Sequence, residues 1–316
     1  MNNPSNVISI VIPCWNTAAY LPQTLSSIAS QTFQNFEVLM VDDGSTDDTW
    51  RIMQQWATAD RRFRPIKQPC NQGLVAARNA ALAVASGEFV AMLDGDDIWT
   101  PDALEVRVSV AERFPGADVI ATDFSWFSDE ISGEPVGRVS LGPRAKAALA
   151  ECYATSRPVL LSEPFEMVAT LHFAWVGATL VRRAAMARVG NFDPQFKGPE
   201  DTLLWLKLAQ QGAFAFAPRV TAHYRQRVGS IVNLLREPKE FHYLKVLDCI
   251  SPKPEFRTYR PFMRGLMAEC HHVCGIHFRR KAEWDRARFH ATQALKFEPT
   301  SMTYWREATA VWLRLS

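Results

Sequence analysis

The sequence predicts an α/β protein with a mostly parallel central sheet, helices on both faces and a helical C-terminal extension. Short β-branched runs alternate with segments of helical periodicity from Val7 to Phe124, as in a parallel sheet with crossover helices. Beyond about Leu235 the pattern becomes mostly helical. At roughly 150 residues per domain, a chain of 316 residues also corresponds to about two domains. We therefore expect a first domain over residues 1–235 and a helical extension over residues 236–316.

The overall composition is that of a globular protein with nearly balanced charge. Hydrophobic residues make up 47% and charged residues 22%, which argues against long disorder. The formal net charge of +2 gives no sign of a nucleic-acid partner. The N-terminal sequence MNNPSN lacks the basic start and apolar core of a signal peptide, so we expect a cytoplasmic protein with reduced cysteines.

Each predicted strand is a short apolar run that ends at turn-forming residues. The first, VISIVI, ends at Pro13, and the second, FEVLMV, ends at an Asp-Asp-Gly-Ser sequence. Fully apolar runs of this length are typical of strands that are covered on both faces. The predicted strands are Val7–Ile12, Phe36–Val41, Phe63–Lys67, Phe89–Leu93, Val119–Phe124, Val176–Val181, Phe214–Ala217 and Val220–Tyr224.

The predicted helices repeat apolar residues at intervals of three and four, and several carry end signals. Thr46 is expected to cap the second helix, and Pro101 to open the fourth. Gly and Pro residues between Ser125 and Ser162 instead predict a loop-rich insertion. The predicted helices are Tyr20–Ser30, Asp47–Trp56, Leu74–Ala85, Pro101–Phe114, Arg183–Val189, Glu200–Gln211 and Lys281–Phe297.

Three polar sequences follow the first, second and fourth predicted strands. Ligands of open parallel sheets bind at the carboxyl ends of the strands, so we expect the chemistry where these three loops converge. The loops are Pro13-Cys14-Trp15-Asn16, Asp42-Asp43-Gly44-Ser45 and Asp94-Gly95-Asp96-Asp97.

Two of these loops are acidic. Asp94 and Asp96 lie two residues apart at a strand end. Their carboxylates suit a Mg²⁺ or Mn²⁺ ion whose remaining ligands are substrate phosphates. The alternative is an acidic turn that caps the next helix. Asp42 or Asp43 can accept a hydrogen bond from a ring N–H or a sugar hydroxyl, or both can cap an ordinary strand-to-helix turn.

Further polar groups begin or follow other predicted elements. Arg78 lies about one turn into a helix, where a planar guanidinium can bind phosphate, although a surface arginine fits equally well. Glu200 and Asp201 begin a helix, where a carboxylate either accepts a proton from an attacking hydroxyl or complements the helix dipole. Arg225 and Arg227 lie beside a Gly-Ser turn and suit a pyrophosphate.

Taken in this order, the motifs resemble those of an inverting, family 2 glycosyltransferase of the GT-A fold, which has a Rossmann-like sheet. The resemblance covers most of residues 7–231, and it implies that residues 1–235 are the catalytic domain. It rests on SIVIPCWNTAAYLPQTLSSIASQTFQNFEVLMVDDGSTDDT, NQGLVAARNAALAVASGEFVAMLDGDDIWTP, GATLVRRAAMARVGNFDPQF, GPEDTLLWLKLAQQG and YRQRVGS.

The resemblance implies a nucleotide-sugar donor, and we expect a UDP-linked one. Pro13, Trp15 and Asn16 would lie along the nucleotide. Asp43 or Asp42 would read the uracil or an equivalent base.

The resemblance also implies the groups around the diphosphate. Arg78 would lie near it, and Arg225 or Arg227 would help to neutralise it as it departs. Asp94 would face the ribose, and Asp96 would hold Mn²⁺ or Mg²⁺ at a metal site that the two carboxylates form. At Arg227 the sequence departs from the family, whose members often carry a histidine there.

The reaction that the resemblance implies is a direct displacement. Asp201, supported by Glu200, would deprotonate an acceptor hydroxyl, which attacks the anomeric carbon opposite the nucleoside diphosphate. The acceptor would be a glycan, lipid-linked or protein-linked hydroxyl. A sugar nucleotidyltransferase is a rival, but its Gly-rich first loop is missing from PCWNTAAY. A catalytically inactive sugar-nucleotide-binding or scaffold protein is another rival, and the presence of both acidic motifs argues against it.

The C-terminal extension differs from the rest in charge. Residues 236–316 hold 15 Lys and Arg against 9 Asp and Glu, whereas residues 1–235 hold 20 against 24. With Trp284, Trp305 and Trp312, the basic extension is expected to contact an anionic membrane face or a protein partner. Lys281–Trp305 looks like one tetratricopeptide helix pair, and the alternative is a helical cap on the catalytic domain.

One cysteine cluster lies in the same extension. On a helix, Cys270, Cys274 and His277 would share a face, which is a possible metal site. The alternative is a buried cysteine pair on an amphipathic helix with solvated histidines.

Overall fold

The computed structural model describes most of the chain as two compact units, Met1–Val228 and Gly229–Ser316. The predicted domain boundary at Leu235 lies outside the described residues, as does Arg227. The described residues are 8–128, 143–171, 173–196, 198–226 and 237–314.

The first unit alternates strands and helices along the chain. Its strands are β1 (Ile8–Cys14), β2 (Phe36–Asp42), β3 (Phe63–Lys67), β4 (Phe89–Met92), β5 (Ile98–Trp99), β6 (Ala117–Ser128), β7 (Val159–Leu160), β8 (Thr179–Arg182) and β9 (Ala213–Gln226). Its helices are α1 (Leu21–Ala29), α2 (Thr49–Ala59), α3 (Leu74–Val84), α4 (Ala103–Arg113), α5 (Pro143–Ala148), α6 (Ala150–Thr155), α7 (Pro164–Leu171), α8 (Arg183–Val189) and α9 (Glu200–Gln211).

The strands form one mixed sheet in the order β3-β2-β1-β4-β8-β6-β9-β5, with β7 paired to β9. The pairs β1/β2, β1/β4, β2/β3 and β6/β9 are parallel, whereas β8 lies antiparallel between β4 and β6. Every residue of β1 is buried, because helices cover both faces of the sheet. The predicted α/β class with a mostly parallel central sheet is confirmed.

Two sequence predictions in this unit are wrong in detail. Helix α2 begins at Thr49, and its N-cap residue is Asp48 instead of the predicted Thr46. The Asp47 carboxylate accepts the Thr49 N–H at 3.0 Å. The predicted strands Phe214–Ala217 and Val220–Tyr224 are one continuous strand, β9, whose register against β6 shifts near Pro218. A proline has no N–H for the ladder, and the irregularity absorbs it without ending the strand.

The predicted loop-rich insertion also contains regular structure. Strand β6 continues to Ser128, and α5, α6 and β7 lie between Pro143 and Leu160. Residues 129–142, which hold most of the Gly and Pro signals, lie outside the described part of the chain. The predicted strand at Val176–Val181 begins as a 3-10 turn and becomes β8 only at Thr179.

The second unit is helical. Met263, Phe278, Ala287 and Val311 are among the residues that form its buried core. Among the described residues, none of the helices combines the length and the apolar character that a membrane span requires. The helices are α10 (Lys239–Ile250), α11 (Arg260–Arg280), α12 (Trp284–Phe297) and α13 (Met302–Trp312), with a 3-10 turn at Pro254–Tyr259.

The cysteine cluster of α11 is a buried pair and not a metal site. Cys270 and Cys274 are 5% and 0% exposed, and burial raises the pKa of both thiols to about 12. Within the described ranges, no three His, Cys, Asp or Glu side chains are grouped so that they could hold a metal ion. The described structure therefore gives no support to the metal alternative for Cys270, Cys274 and His277.

Candidate active site

The three polar loops converge at the carboxyl ends of β1, β2 and β4, as the sequence predicts. The Asp43 N–H donates to the Cys14 carbonyl at 2.8 Å, and the Asn16 N–H donates to the Ser45 hydroxyl at 3.0 Å. A methyl group on Gly95 would lie 3.1 Å from the Cys14 sulfur. The acidic loop after β4 is thus packed tightly against the loop after β1.

The first loop presents an aromatic side chain to solvent. Trp15 is 54% exposed, whereas Pro13 is buried. Asn16 has a left-handed backbone with φ of 52°, and its side-chain oxygen accepts the Thr46 N–H at 2.8 Å. This bond holds the turn and leaves the Trp15 ring available at the edge of the site.

The two aspartates at the end of β2 are buried, and they hold the loop that leads into α3. The Asp43 carboxylate accepts the Gln72 and Gly73 N–H groups, each at 2.8 Å. One Asp42 oxygen accepts the Ser45 N–H at 3.0 Å, while Oδ2 has no hydrogen-bond partner among the described residues. Buried acceptors are normally paired, so the unpaired Oδ2 of the fully buried Asp42 is an exception within this loop.

Arg78 joins the acidic loop to the start of α9. Its side chain is 2% exposed, Nη2 donates to Asp94 Oδ1 at 2.9 Å, and Nη1 donates to Glu200 Oε1 at 2.8 Å. The alternative of a surface arginine is therefore wrong. Both terminal nitrogens contact carboxylates, so the guanidinium assembles the acidic groups of the site in addition to bringing positive charge to it.

The Glu200-Asp201 pair lies at the first turn of α9. Glu200 is 5% exposed, and its second oxygen accepts the Gly198 N–H at 3.2 Å. Burial, together with the charge of Asp201, raises the pKa of Glu200 against the opposing effect of Arg78. Burial also raises the pKa of Asp201. A carboxylate pair whose pKa is raised in this way is more basic than a solvated one, as proton abstraction requires.

Arg225 lies against the backbone of the acidic loop. It is 6% exposed, Nε donates to the Asp96 carbonyl at 2.6 Å, and Nη2 donates to the Gln23 side chain at 2.6 Å. Its guanidinium lies between the rings of Tyr20 and Phe127, at 4.9 and 4.3 Å from their centroids. The sequence predicts contact with the diphosphate, but these contacts hold the loop that carries Asp96.

Asp97 is a site residue that the sequence prediction did not assign. It is fully buried, and Oδ1 accepts the Arg225 N–H at 2.8 Å, while burial raises its pKa well above the ordinary value. The signal that identifies it is its position as the third acid of the loop, directly before β5. Asp97 thus joins the acidic loop to β9 through the Arg225 N–H.

The site carries more negative than positive charge. Its loops and the start of α9 contribute five acids and two arginines, which are Asp94, Asp96, Asp97, Glu200, Asp201, Arg78 and Arg225. Asp94 is paired with Arg78. The resemblance to the family assigns the divalent cation to Asp96. The described residues contain no cluster of three metal ligands, so phosphate oxygens and water would have to complete the coordination. Mg²⁺ accepts this arrangement because it binds proteins through one or two carboxylates.

Known proteins resemble this chain in sequence and in fold. The family model for glycosyl transferase family 2 matches residues 9–188. GlyG from Streptococcus pneumoniae is 35% identical over 120 residues, 38% of this chain and 40% of GlyG. TuaG from Bacillus subtilis, a teichuronic acid biosynthesis glycosyltransferase by its provisional name, is 36% identical over 39% of this chain and 51% of TuaG. The matches therefore span only about half of the length of these relatives.

One relative matches over nearly its whole length. WfaP from Escherichia coli, named as a UDP-Glc:α-D-GlcNAc-diphosphoundecaprenol β-1,3-glucosyltransferase, is 28% identical over 271 residues, 84% of this chain and 96% of WfaP. Among solved structures, S. aureus TarS 1–349 in complex with UDP-GlcNAc superposes with a TM-score of 0.69 at 18% identity. That match covers 97% of this chain and 87% of the TarS chain.

Proposed function

Because the chain belongs to glycosyl transferase family 2, we propose that it is an inverting, metal-dependent enzyme that moves a sugar from a UDP-linked donor to a hydroxyl acceptor. The observation that carries the proposal is the position of Arg78. It contacts Asp94 in the acidic loop at 2.9 Å and Glu200 beside Asp201 at 2.8 Å. One side chain thus brings the loop suited to the donor within reach of the pair suited to proton abstraction.

The names of the relatives support the donor and the acceptor that we propose. WfaP is named for a UDP-linked donor and a diphosphoundecaprenol-linked acceptor, and the TarS structure contains UDP-GlcNAc. We propose a UDP-sugar donor and an acceptor hydroxyl in glycan, polysaccharide or glycolipid synthesis, carried on a lipid-linked or protein-linked glycan. Trp15 would pack against the nucleotide, and the buried Oδ2 of Asp42 would accept from its base.

In the proposed reaction Asp201 is the general base. It accepts the proton of the acceptor hydroxyl while that oxygen forms its bond to the anomeric carbon and the bond to the nucleoside diphosphate breaks. Its Oδ1 accepts the Thr202 N–H at 2.6 Å, which orients the carboxylate at the first turn of α9. Glu200, held by Arg78, keeps the pair in place. Holding donor and acceptor in line removes much of the entropic barrier.

The acidic loop supports the departing group. Asp96 would hold Mn²⁺ or Mg²⁺, and the bound ion would supply positive charge to the diphosphate. Arg225 fixes the Asp96 backbone through the bond from Nε, and Asp97 fixes the same loop to β9. These residues orient Asp96 before the donor binds, which is the preorganisation that electrostatic catalysis needs.

The second unit supports a peripheral location. Its excess of basic residues, 15 against 9 acidic ones in residues 236–316, suits contact with an anionic surface. We propose a cytoplasmic enzyme that meets its acceptor at the inner membrane face.

The test is release of UDP from a panel of UDP-sugars and GDP-sugars in the presence of Mn²⁺. We expect turnover with at least one UDP-sugar, and we expect Asp96→Ala to abolish it. Glu166→Gln changes an exposed acid on α7 and is the matched control that should retain activity. A folded wild-type protein that releases no nucleotide from any donor, or an Asp96→Ala variant with full turnover, would contradict the proposal.

A further inference from the structure

Helix α13 exposes large apolar side chains on one side. Met302, Trp305, Trp312 and Leu313 are 69%, 51%, 62% and 65% exposed. At about 100° per residue these four side chains fall within a sector of about 100° around the helix axis. We call this sector the α13 stripe. Single exposed apolar residues are ordinary on a protein surface, whereas several large ones on one side of a helix are a candidate interaction site.

The other side of α13 provides the packing of the second unit. Glu307, Ala308 and Val311 are buried, and Glu307 forms an ion pair with Arg279 at 2.8 Å. The Ser301 side chain accepts the Tyr304 N–H and caps the helix. The helix is therefore anchored by its buried side, and the fold does not need the stripe for its own core.

Trp305 is fixed with its ring outward and its polar atom already paired. The indole N–H donates to the Pro299 carbonyl at 2.9 Å, although the ring remains 51% exposed. Moving an indole into an apolar medium is costly when its N–H loses its partner. Here the partner belongs to the turn before the same helix, so the ring can enter an apolar medium with its hydrogen bond intact.

Arginines border the stripe, and one of them, Arg288, is ion-paired with the exposed Asp285. Arg306 lies within the same side of the helix, Arg314 follows its end, and the Arg288 guanidinium lies 5.6 Å from the Trp312 ring centroid. Among the described exposed residues from Met302 to the end of α13 there is no Asp or Glu, because Glu307 is buried. Trp and Leu on one side with Arg at the border is the composition of helices that lie in a membrane interface.

We propose that the α13 stripe docks on an anionic lipid membrane, with the helix parallel to the surface. Apolar side chains supply contact with the acyl boundary, and the arginines supply attraction to anionic headgroups. The α13 stripe is a smaller surface than the basic extension as a whole. Trp284, which the sequence analysis groups with Trp305 and Trp312, is only partly exposed and begins α12. The inference does not depend on the transfer chemistry of the first unit, so either can fail alone.

The test is sedimentation of the full chain with vesicles of phosphatidylcholine alone and of an equimolar mixture with phosphatidylglycerol. We expect binding to the anionic vesicles, release by salt, and a loss of at least about tenfold in partitioning for a Trp312→Glu/Leu313→Glu variant. Val84→Glu, an exposed apolar position of the first unit at 45% exposure, is the matched control that should bind normally. Circular dichroism and UDP release verify that each variant is folded.

Three results would overturn the inference. The first is absence of binding to anionic vesicles by the wild type. The second is binding that the stripe variant retains in full. The third is a dimer in solution that the stripe variant converts to a monomer, because a second copy would then cover the stripe. Should the double variant fail to fold, Met302→Glu alone, which changes the most exposed of the four side chains, provides the same readout.

Discussion

The candidate site of the first unit and the α13 stripe of the second depart from ordinary burial in opposite directions. The first unit buries charge: Arg78, Asp97 and Glu200 are 2%, 0% and 5% exposed. The second exposes large apolar side chains at the α13 stripe. A buried charge is costly unless partners satisfy it, and exposed apolar surface is costly in water. The contrast indicates where each unit has a task other than folding, because natural proteins break local rules mainly at functional sites.

The largest effect is expected at Arg78, the centre of the buried charges. Arg78→Met leaves Glu200 and Asp94 without their shared cation, so we expect a loss of about 3–5 kcal/mol in unfolding free energy. Activity should fall by roughly 100-fold because the acidic groups are displaced. Urea denaturation and UDP release measure the two effects. Arg51→Met is the control: its ion pair with Asp48 is exposed, and no resolvable change in stability is expected.

The Arg78 experiment tests whether the buried charges of the first unit depend on this one cation. If Arg78→Met were as stable as the Arg51→Met control, the buried charges of the first unit would not depend on Arg78, and the central role given to it would be wrong.

The next effect concerns the metal dependence of the acidic loop. In Arg225→Lys, one amine replaces a guanidinium that contacts both the Asp96 carbonyl and Gln23, so Asp96 loses part of its support. We expect the Mn²⁺ concentration for half-maximal activity to rise by about tenfold. Metal-free UDP binding, measured by calorimetry, should stay unchanged. A loss of metal-free UDP affinity would show instead that Arg225 contacts the diphosphate directly.

A smaller effect is expected in the pH profile. Burial raises the pKa of Asp201, and a general base must be deprotonated, so activity should fall as the pH drops through that raised pKa. Glu200→Gln removes a neighbouring negative charge, which favours the ionised form of Asp201. The acid limb of kcat/KM should therefore move to lower pH. If the acid limb of the kcat/KM profile did not move, the group that titrates in that limb would not be Asp201.

The smallest effect is expected at the border of the α13 stripe. Arg306→Gln removes one charge beside the apolar side chains, and we expect about fivefold weaker partitioning to anionic vesicles. The salt dependence of binding should become shallower, while binding to neutral vesicles stays as weak as before. Equal loss for both vesicle types would mean that the substitution acts through the packing of α13.

Much of the fold follows from local sequence signals. The apolar runs and helical spacing locate β1 to β4 and α1 to α4 within a few residues, because each element carries its own pattern. The N-cap of α2 was predicted at Thr46 and lies at Asp48, since several adjacent polar residues can each cap a helix. Strand β9 was predicted as two strands because the Pro218 signal is local, whereas the pairing with β6 that continues through it is not.

Local sequence signals locate the acids of the candidate site, but they do not reveal the partners of its arginines. Asp94, Asp96, Glu200 and Asp201 stand at predicted strand or helix ends, where the sequence alone indicates exposed chemistry. Arg78 meets Glu200 across 122 positions of the chain, and Arg225 meets Gln23 across 202. Pairings of this range depend on sheet order and helix packing, so no local pattern reveals whether such an arginine contacts phosphate or protein.

The central claim is that the first unit assembles a transfer site in which Asp201 is the base. The most direct test compares Asp201→Asn with the wild type in UDP release and in calorimetric binding of UDP with Mn²⁺. We predict that turnover falls by roughly 10²- to 10⁴-fold while the UDP affinity stays within about twofold, because the base acts on the acceptor and not on the nucleotide. Turnover close to that of the wild type, with UDP binding intact, would contradict the account.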